Sequence, residues 1–289
     1  MKIVGKLLIV IILLSGCNTS INDKEYYFQE INLEEIWEYS DGESQTIAFI
    51  DTGISYEAKN LYGDRIIDTY NSIEDNKDVT DYHGHGTQMV SVASGNGKEG
   101  IWGIGTNTKI IIIKAFEEGE QVEPLHIAKA INWAISKKVD IINMSFGSFT
   151  SDSDIESKIY SALQNNITVV ASTGDYGNKD ILFPAKLQGV VSVAAKNEKG
   201  TIWELSNVSE SDVVAFPGVE INSLTLDNEK IRMNGTSIAT ALASGYIALL
   251  RDYYEKNDIS YTNDKIIQDL KSLQSQVNKD VNYEQLFLK

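Results

Sequence analysis

Cysteine occurs once in the 289 residues, at Cys17, so no disulfide can form within the chain. Histidine occurs three times, as His83, His85 and His126, too few and in elements too separate to build a zinc site. Positive charge is scarce: 25 Lys and Arg stand against 41 Asp and Glu, and the formal net charge is -16. No basic cluster interrupts that balance, so nucleic acid is excluded as a partner. The apolar run near the N-terminus, residues 7–14, is too short to span a bilayer. Internal repeats and low-complexity segments are lacking too. What is present is an ordinary globular composition, 42% hydrophobic and 23% charged, at a length that suits one large domain with a buried core. Such a chain is expected to act as a monomer.

The N-terminus carries a targeting pattern. Lys2 and Lys6 precede the apolar run, and Ser15-Gly16-Cys17 follows it, as in a secretory signal. Leu14-Ser15-Gly16-Cys17 resembles the bacterial lipobox, in which the cysteine is lipidated and becomes the first mature residue. That resemblance implies a protein anchored at Cys17 on the extracytoplasmic side of a bacterial cell membrane. The expected organisation is a lipoprotein signal peptide over 1–16, a tether and N-terminal extension over 17–45, and one domain over 46–289.

From Thr46 onward, apolar segments alternate with amphipathic ones. Segments 46–51, 109–114, 139–144, 168–171 and 190–194 are short and rich in Ile and Val, as strands buried on both faces are. Segments 87–94, 125–137 and 155–164 have helical periodicity. This alternation predicts an α/β fold with a doubly wound, mostly parallel sheet. Residues 221–233 predict a hairpin turning near Asp227-Asn228, residues 237–257 a long apolar helix, and residues 262–275 a more polar one.

Three segments combine chemistry with position. Asp51-Thr52-Gly53 follows the apolar strand Ile47-Ala48-Phe49-Ile50, placing a carboxylate at the strand's C-terminal end, where α/β sheets bind ligands. Alone, it reads more readily as a turn cap. His83-Gly84-His85-Gly86-Thr87 leads into a helix, where a histidine flanked by glycines suits a general base. Asn234-Gly235-Thr236-Ser237-Ile238-Ala239-Thr240 opens the long apolar helix. A serine there is ordinarily a cap, yet the helix N-terminus also favours a developing oxyanion. The order Asp, His, Ser is one in which a catalytic triad can be strung along a chain.

On these residues the chain resembles the subtilase family of serine proteases. Ile50-Asp51-Thr52-Gly53, Gly84-His85-Gly86-Thr87 and Gly235-Thr236-Ser237-Ile238-Ala239-Thr240 look like its Asp, His and Ser motifs. Asn143-Met144-Ser145-Phe146-Gly147 is similar to the segment that pairs with the substrate backbone, and the resemblance covers about residues 46–250. It implies a subtilisin-like three-layer architecture and an endopeptidase with Asp51, His85 and Ser237 as the triad. His83 receives no role. Ser145, Phe146, Gly147 and Gly174 are the implied substrate-binding residues, and a peptide or protein is the implied substrate.

Several positions depart from the family's pattern. The oxyanion asparagine is replaced: the chain reads Ser172-Thr173-Gly174-Asp175 where the family usually has Ala-Gly-Asn. Losing such a donor costs about 3–4 kcal/mol of barrier, and an ionised Asp175 would add repulsion. The expectation is that Asp175 serves the oxyanion hole in protonated form, with an acid-shifted pH–rate profile and Asn178 as a fallback donor. Ala241 and Gln88 stand where proline and a second histidine are common, with no cost foreseen. Residues 95–101 match the family's calcium loop in position, but Gly97 replaces a side-chain ligand. Asn60 and Asn96 are the oxygen donors left, so no cofactor is certain and calcium stays open.

About thirty residues separate Cys17 from the first core strand, too few for the folded prodomain common in the family. This resembles dedicated peptidases that remove leader peptides, and implies processing of an extracellular peptide or protein. Glu117, Glu118, Glu120 and Glu123 flank the substrate cleft and could favour basic side chains, or form a solvated loop. The rival to an enzyme is a catalytically silent subtilase-fold lipoprotein that binds peptides. A lipid-anchored solute-binding protein would leave all four motifs as coincidence.

Overall fold

The computed structural model describes residues 25–117, 122–209 and 213–274. The signal and lipobox at 1–17, the 18–24 stretch, Glu118 and Glu120 lie outside the described residues. Seven strands, β1 (Thr46–Asp51), β2 (Ile66–Asn71), β3 (Lys109–Lys114), β4 (Ile141–Met144), β5 (Thr168–Ser172), β6 (Val191–Lys196) and β7 (Val213–Pro217), form one sheet. Their order is β2-β3-β1-β4-β5-β6-β7, and every pairing is parallel. A separate antiparallel hairpin joins β8 (Ile221–Leu224) to β9 (Lys230–Met233).

Alternation along each strand divides the core in two. Ile47 and Phe49 of β1, Ile110 and Ile112 of β3, and Val191 and Val193 of β6 face one way. They pack against α1 (Tyr26–Glu30), α2 (Leu33–Tyr39), α3 (Tyr56–Tyr62), α4 (His85–Ser94), α7 (Thr236–Lys256) and α8 (Asn263–Gln274). Ala48, Ile50, Ile111, Ile113, Ile142 and Met144 face the other way, against α5 (Pro124–Ser136) and α6 (Ser153–Gln164). Helices on both faces make three layers and leave each central strand buried on both sides, which is why these strands read as continuous Ile/Val runs. The expected α/β doubly wound architecture is met.

Strand β1 lies between β3 and β4, where the strand order reverses. Its last residue, Asp51, pairs in register with Lys114 of β3 and sits at the carboxyl edge of the sheet. That edge at a switch point is where open α/β sheets form binding crevices. Helix α7 is buried along nearly its whole length, as its all-round apolar sequence requires, and it carries Ser237 toward the same edge.

The sequence left some elements undetected. Edge strand β2 is half-exposed and broken by an irregularity between Ile66 and Asp68, so it lacks an apolar run. Helices α1 and α2 occupy part of the 17–45 extension. Tyr27 and Trp37 tie them to the domain through bonds to the Trp102 and Ile104 carbonyls, at 2.6 and 2.8 Å. Among the described residues, no helix is long and apolar enough to cross a membrane.

Candidate active site

Asp51 ends β1 and is 1% exposed. Its Oδ1 accepts the Thr52 N–H at 2.8 Å and lies 2.8 Å from His85 Nδ1. Its Oδ2 is buried and has no hydrogen-bond partner among the described residues, so the imidazole is the main answer to this carboxylate there. His85 opens α4 behind Gly84, whose φ of +104° turns the chain into the helix. A β-carbon on Gly86 would stand 2.3 Å from the Gly53 carbonyl oxygen, so only glycine lets α4 approach the end of β1 this closely. The Gly86 N–H donates to Thr52 Oγ1 at 2.9 Å and fastens the two segments.

A second carboxylate, Asp81, is 3% exposed and lies beneath this turn. Its Oδ1 accepts the N–H groups of His83 and Gly84 at 2.9 and 2.8 Å. Its Oδ2 accepts the Thr87 N–H and hydroxyl at 3.0 and 2.7 Å. Burial pushes the Asp81 carboxyl up, but these donors outweigh it and hold the group below its ordinary range. Burial would lower His85. The charge and hydrogen bond of Asp51, with the charges of Asp81 and Asp175, prevail and raise it above 6.5.

Ser237 is the second residue of α7. Its hydroxyl donates to the Ser145 carbonyl at 2.7 Å, and the Ser145 hydroxyl donates to the Ser237 carbonyl at 2.9 Å. The serine is therefore turned toward the 145–147 segment in this structure. Asp175 links the two halves of the site. Its Oδ1 accepts the Thr236 N–H at 2.9 Å, supplying the cap that Gly235 cannot, and its charge also reaches His85.

The other expected residues fall around this centre. Phe146 packs edge to face on Phe116 at 5.3 Å, and Gly147 is exposed. Gly174 is buried; its N–H donates to Thr236 Oγ1 at 3.3 Å and its carbonyl accepts the Asn207 N–H at 2.8 Å. Asn178 accepts the Asp180 N–H through its side-chain oxygen, at 2.9 Å. Glu117 is paired with Lys114 at 2.7 Å, so it is not one of four free carboxylates. The calcium expectation fits poorly. The Trp102 indole fills the space beside Gly97, and Lys98 Nζ donates to the Leu61 carbonyl at 2.7 Å, putting an ammonium at the loop. Among the described residues, no group of three or more His, Cys, Asp or Glu could hold a metal ion.

Two positioning residues escaped sequence reasoning. Asp81 precedes His85 by four positions, in a spacing that reads as an ordinary turn. Asn207 is fully buried; its Oδ1 accepts the Tyr176 N–H at 2.9 Å and its Nδ2 donates to the Asp180 carbonyl at 2.9 Å. It thereby holds the 174–180 loop from a distant part of the chain, and nothing local in the sequence marks it.

Known proteins share both sequence and shape with this chain. The Thermostable alkaline protease of Halalkalibacterium halodurans is 30% identical over 230 residues, covering 78% of this chain and 61% of that protein. The Minor extracellular protease Epr of Bacillus subtilis is 32% identical over 254 residues, covering 85% of this chain and 38% of its own length. This chain thus spans about three fifths or less of these relatives. Among solved structures, the Prenylagaramide maturation protease PagA superposes with a TM-score of 0.74 at 22% identity, over 88% of this chain and 96% of that one. A cold adapted subtilisin-like serine proteinase gives 0.71 at 24% identity, over 81% and 83%. At those identities the two likenesses establish the fold. The family assignment comes from a family model that matches residues 42–281: the chain belongs to the Subtilase family.

Proposed function

We propose that the protein is a serine endopeptidase that hydrolyses peptide bonds with Asp51, His85 and Ser237. The observation that carries this reading is the 2.8 Å contact between a buried carboxylate and His85 Nδ1. With Nδ1–H donated to Asp51, Nε2 is left as the basic nitrogen, and membership of the family supports its pairing with Ser237. An extended substrate lies along residues 145–147, and its N–H takes the Ser145 carbonyl that the Ser237 hydroxyl now occupies. The displaced hydroxyl turns to His85, which accepts its proton as Oγ attacks the scissile carbonyl. The imidazolium, held by Asp51, then returns the proton to the leaving amine; water repeats the sequence to release the acyl group.

Asp175 is assigned to the oxyanion hole. Its Oδ1 is engaged by the Thr236 N–H, so Oδ2, beside Gly235, is the oxygen that carries the donated proton. The protein acts outside the cytoplasmic membrane, anchored through Cys17, on a peptide or protein it processes there.

The present engagement of the Ser237 hydroxyl with Ser145 favours one alternative, a silent peptide-binding member of the family. A serine-reactive phosphonate separates the two. Labelling of Ser237 in the wild type, lost in His85→Ala, and peptide hydrolysis abolished by Ser237→Ala support the enzyme. A wild type that stays unlabelled and inert at every pH supports the silent binder.

A further inference from the structure

The carboxyl ends of β4 and β5 are neighbours, and the chain leaves them as two walls, residues 145–149 and 173–176. With the substrate extended along residues 145–147 as proposed above, the side chain next to the scissile carbonyl points into the space between these walls. Its floor is a third segment, Ile181-Leu182-Phe183. The Leu182 N–H donates to the Thr173 carbonyl at 3.0 Å on one wall. Phe183 exchanges two backbone bonds with Ser148 on the other, at 2.9 and 2.8 Å.

The Leu182 side chain rises from this floor. A β-carbon on Gly147 would meet Leu182 Cβ at 2.7 Å. A β-carbon on Gly174 would meet Leu182 Cγ and Cδ1, also at 2.7 Å. One leucine therefore takes the room that side chains at both glycines would need. Leu182 is 4% exposed. The leucine is buried between the two walls, against both glycines. At the outer end, Phe149 and Tyr176, one from each wall and 56% and 61% exposed, touch ring to ring at 4.9 Å.

We infer that Leu182 is a specificity-determining residue. It fills the crevice between Gly147 and Gly174, so the residue whose carbonyl is attacked must be small: glycine, alanine or serine. This rests on the endopeptidase reading above. A larger side chain has nowhere to go, because the floor is bonded to both walls and the aromatic pair ties them at the rim. Single methylenes in a snug pocket already change discrimination by about 10–200-fold.

The test uses peptidyl diphenyl phosphonates whose terminal residue is the alanine or the phenylalanine analogue, with mass spectrometry reading the modification of Ser237. The wild type is expected to react at least about 100-fold faster with the alanine probe. Leu182→Ala should narrow that ratio at least about tenfold by accepting the phenylalanine probe, with an unchanged melting curve as the check on folding. A wild type that takes both probes within about threefold, or a folded Leu182→Ala protein with the original ratio, overturns the filled pocket and leaves the catalytic reading standing. If neither protein labels with either probe, the catalytic reading is overturned, and the pocket with it.

Discussion

Replacing Asp81 by asparagine removes a charge that holds the turn carrying His85. The carboxylate accepts four hydrogen bonds around the turn that carries His85. An amide can keep the two on Oδ1, but an NH2 group at Oδ2 would face the Thr87 N–H. Thr87 Oγ1 is itself bonded to the Ser55 N–H at 2.9 Å, which limits its freedom to adapt. Two charge-assisted bonds at about 1.5 kcal/mol each give a loss of about 3 kcal/mol. At about 2–4 °C per kcal/mol for a domain of this size, the melting temperature at pH 7 should fall by about 6–12 °C.

The pH dependence identifies the cause. Asp81 is held below its ordinary range, so its stabilisation is complete above the unfolded value near 3.8 and is lost as pH falls through the depressed one. The gap between wild type and variant should therefore close in strong acid. His85 behaves oppositely. Raised above 6.5, it contributes stability that is complete below 6.5 and is lost as pH rises through its folded value. Because Asp81 helps to raise it, Asp81→Asn should also move the limb of kcat/KM that reports His85 to lower pH. Calorimetry across pH and a pH–rate series on one peptide measure both effects. A melting shift under about 2 °C together with an unmoved limb would refute the assigned role.

Asp175→Asn addresses a conflict within the wild type, where catalysis asks Asp175 to be protonated while His85 is neutral. The wild-type profile is expected to be a low bell. The variant should replace the bell by a single limb that rises through His85 and extends activity to neutral pH and above, with kcat/KM about 100-fold higher, since an amide donates at every pH and no longer holds His85 up. An unchanged profile would remove Asp175 from the oxyanion hole. For the anchor, Cys17→Ser should move the protein from the membrane fraction to the soluble one, and its retention in membranes would count against lipidation.

The central architecture was legible because it rests on local signals. The segments at 46–51 and 109–114 coincide with β1 and β3, and the hairpin turns where Asp227-Asn228 predicted. Asp51 and His85 were named from motifs, and the structure places them in contact. What stayed hidden depends on distant partners. β2 alternates half-exposed residues because one side of it is the edge of the sheet, so it shows no apolar run. Asn207 acts on a loop about thirty residues earlier, and Leu182 matters only because two other segments close around it. The Ser237 hydroxyl's choice of the Ser145 carbonyl over an imidazole is a rotamer, which motif spacing does not encode.

The staple formed by Ile181-Leu182-Phe183 is made of main-chain bonds to Thr173 and Ser148, and such bonds are indifferent to the side chain they carry. Selectivity and catalytic geometry are therefore separable in heredity. On the filled-pocket inference, a single codon change at Leu182 would alter which side chain the crevice accepts, while the backbone that aligns both walls is untouched. A lineage could exchange one client for another in a single step, without passing through an inactive ancestor.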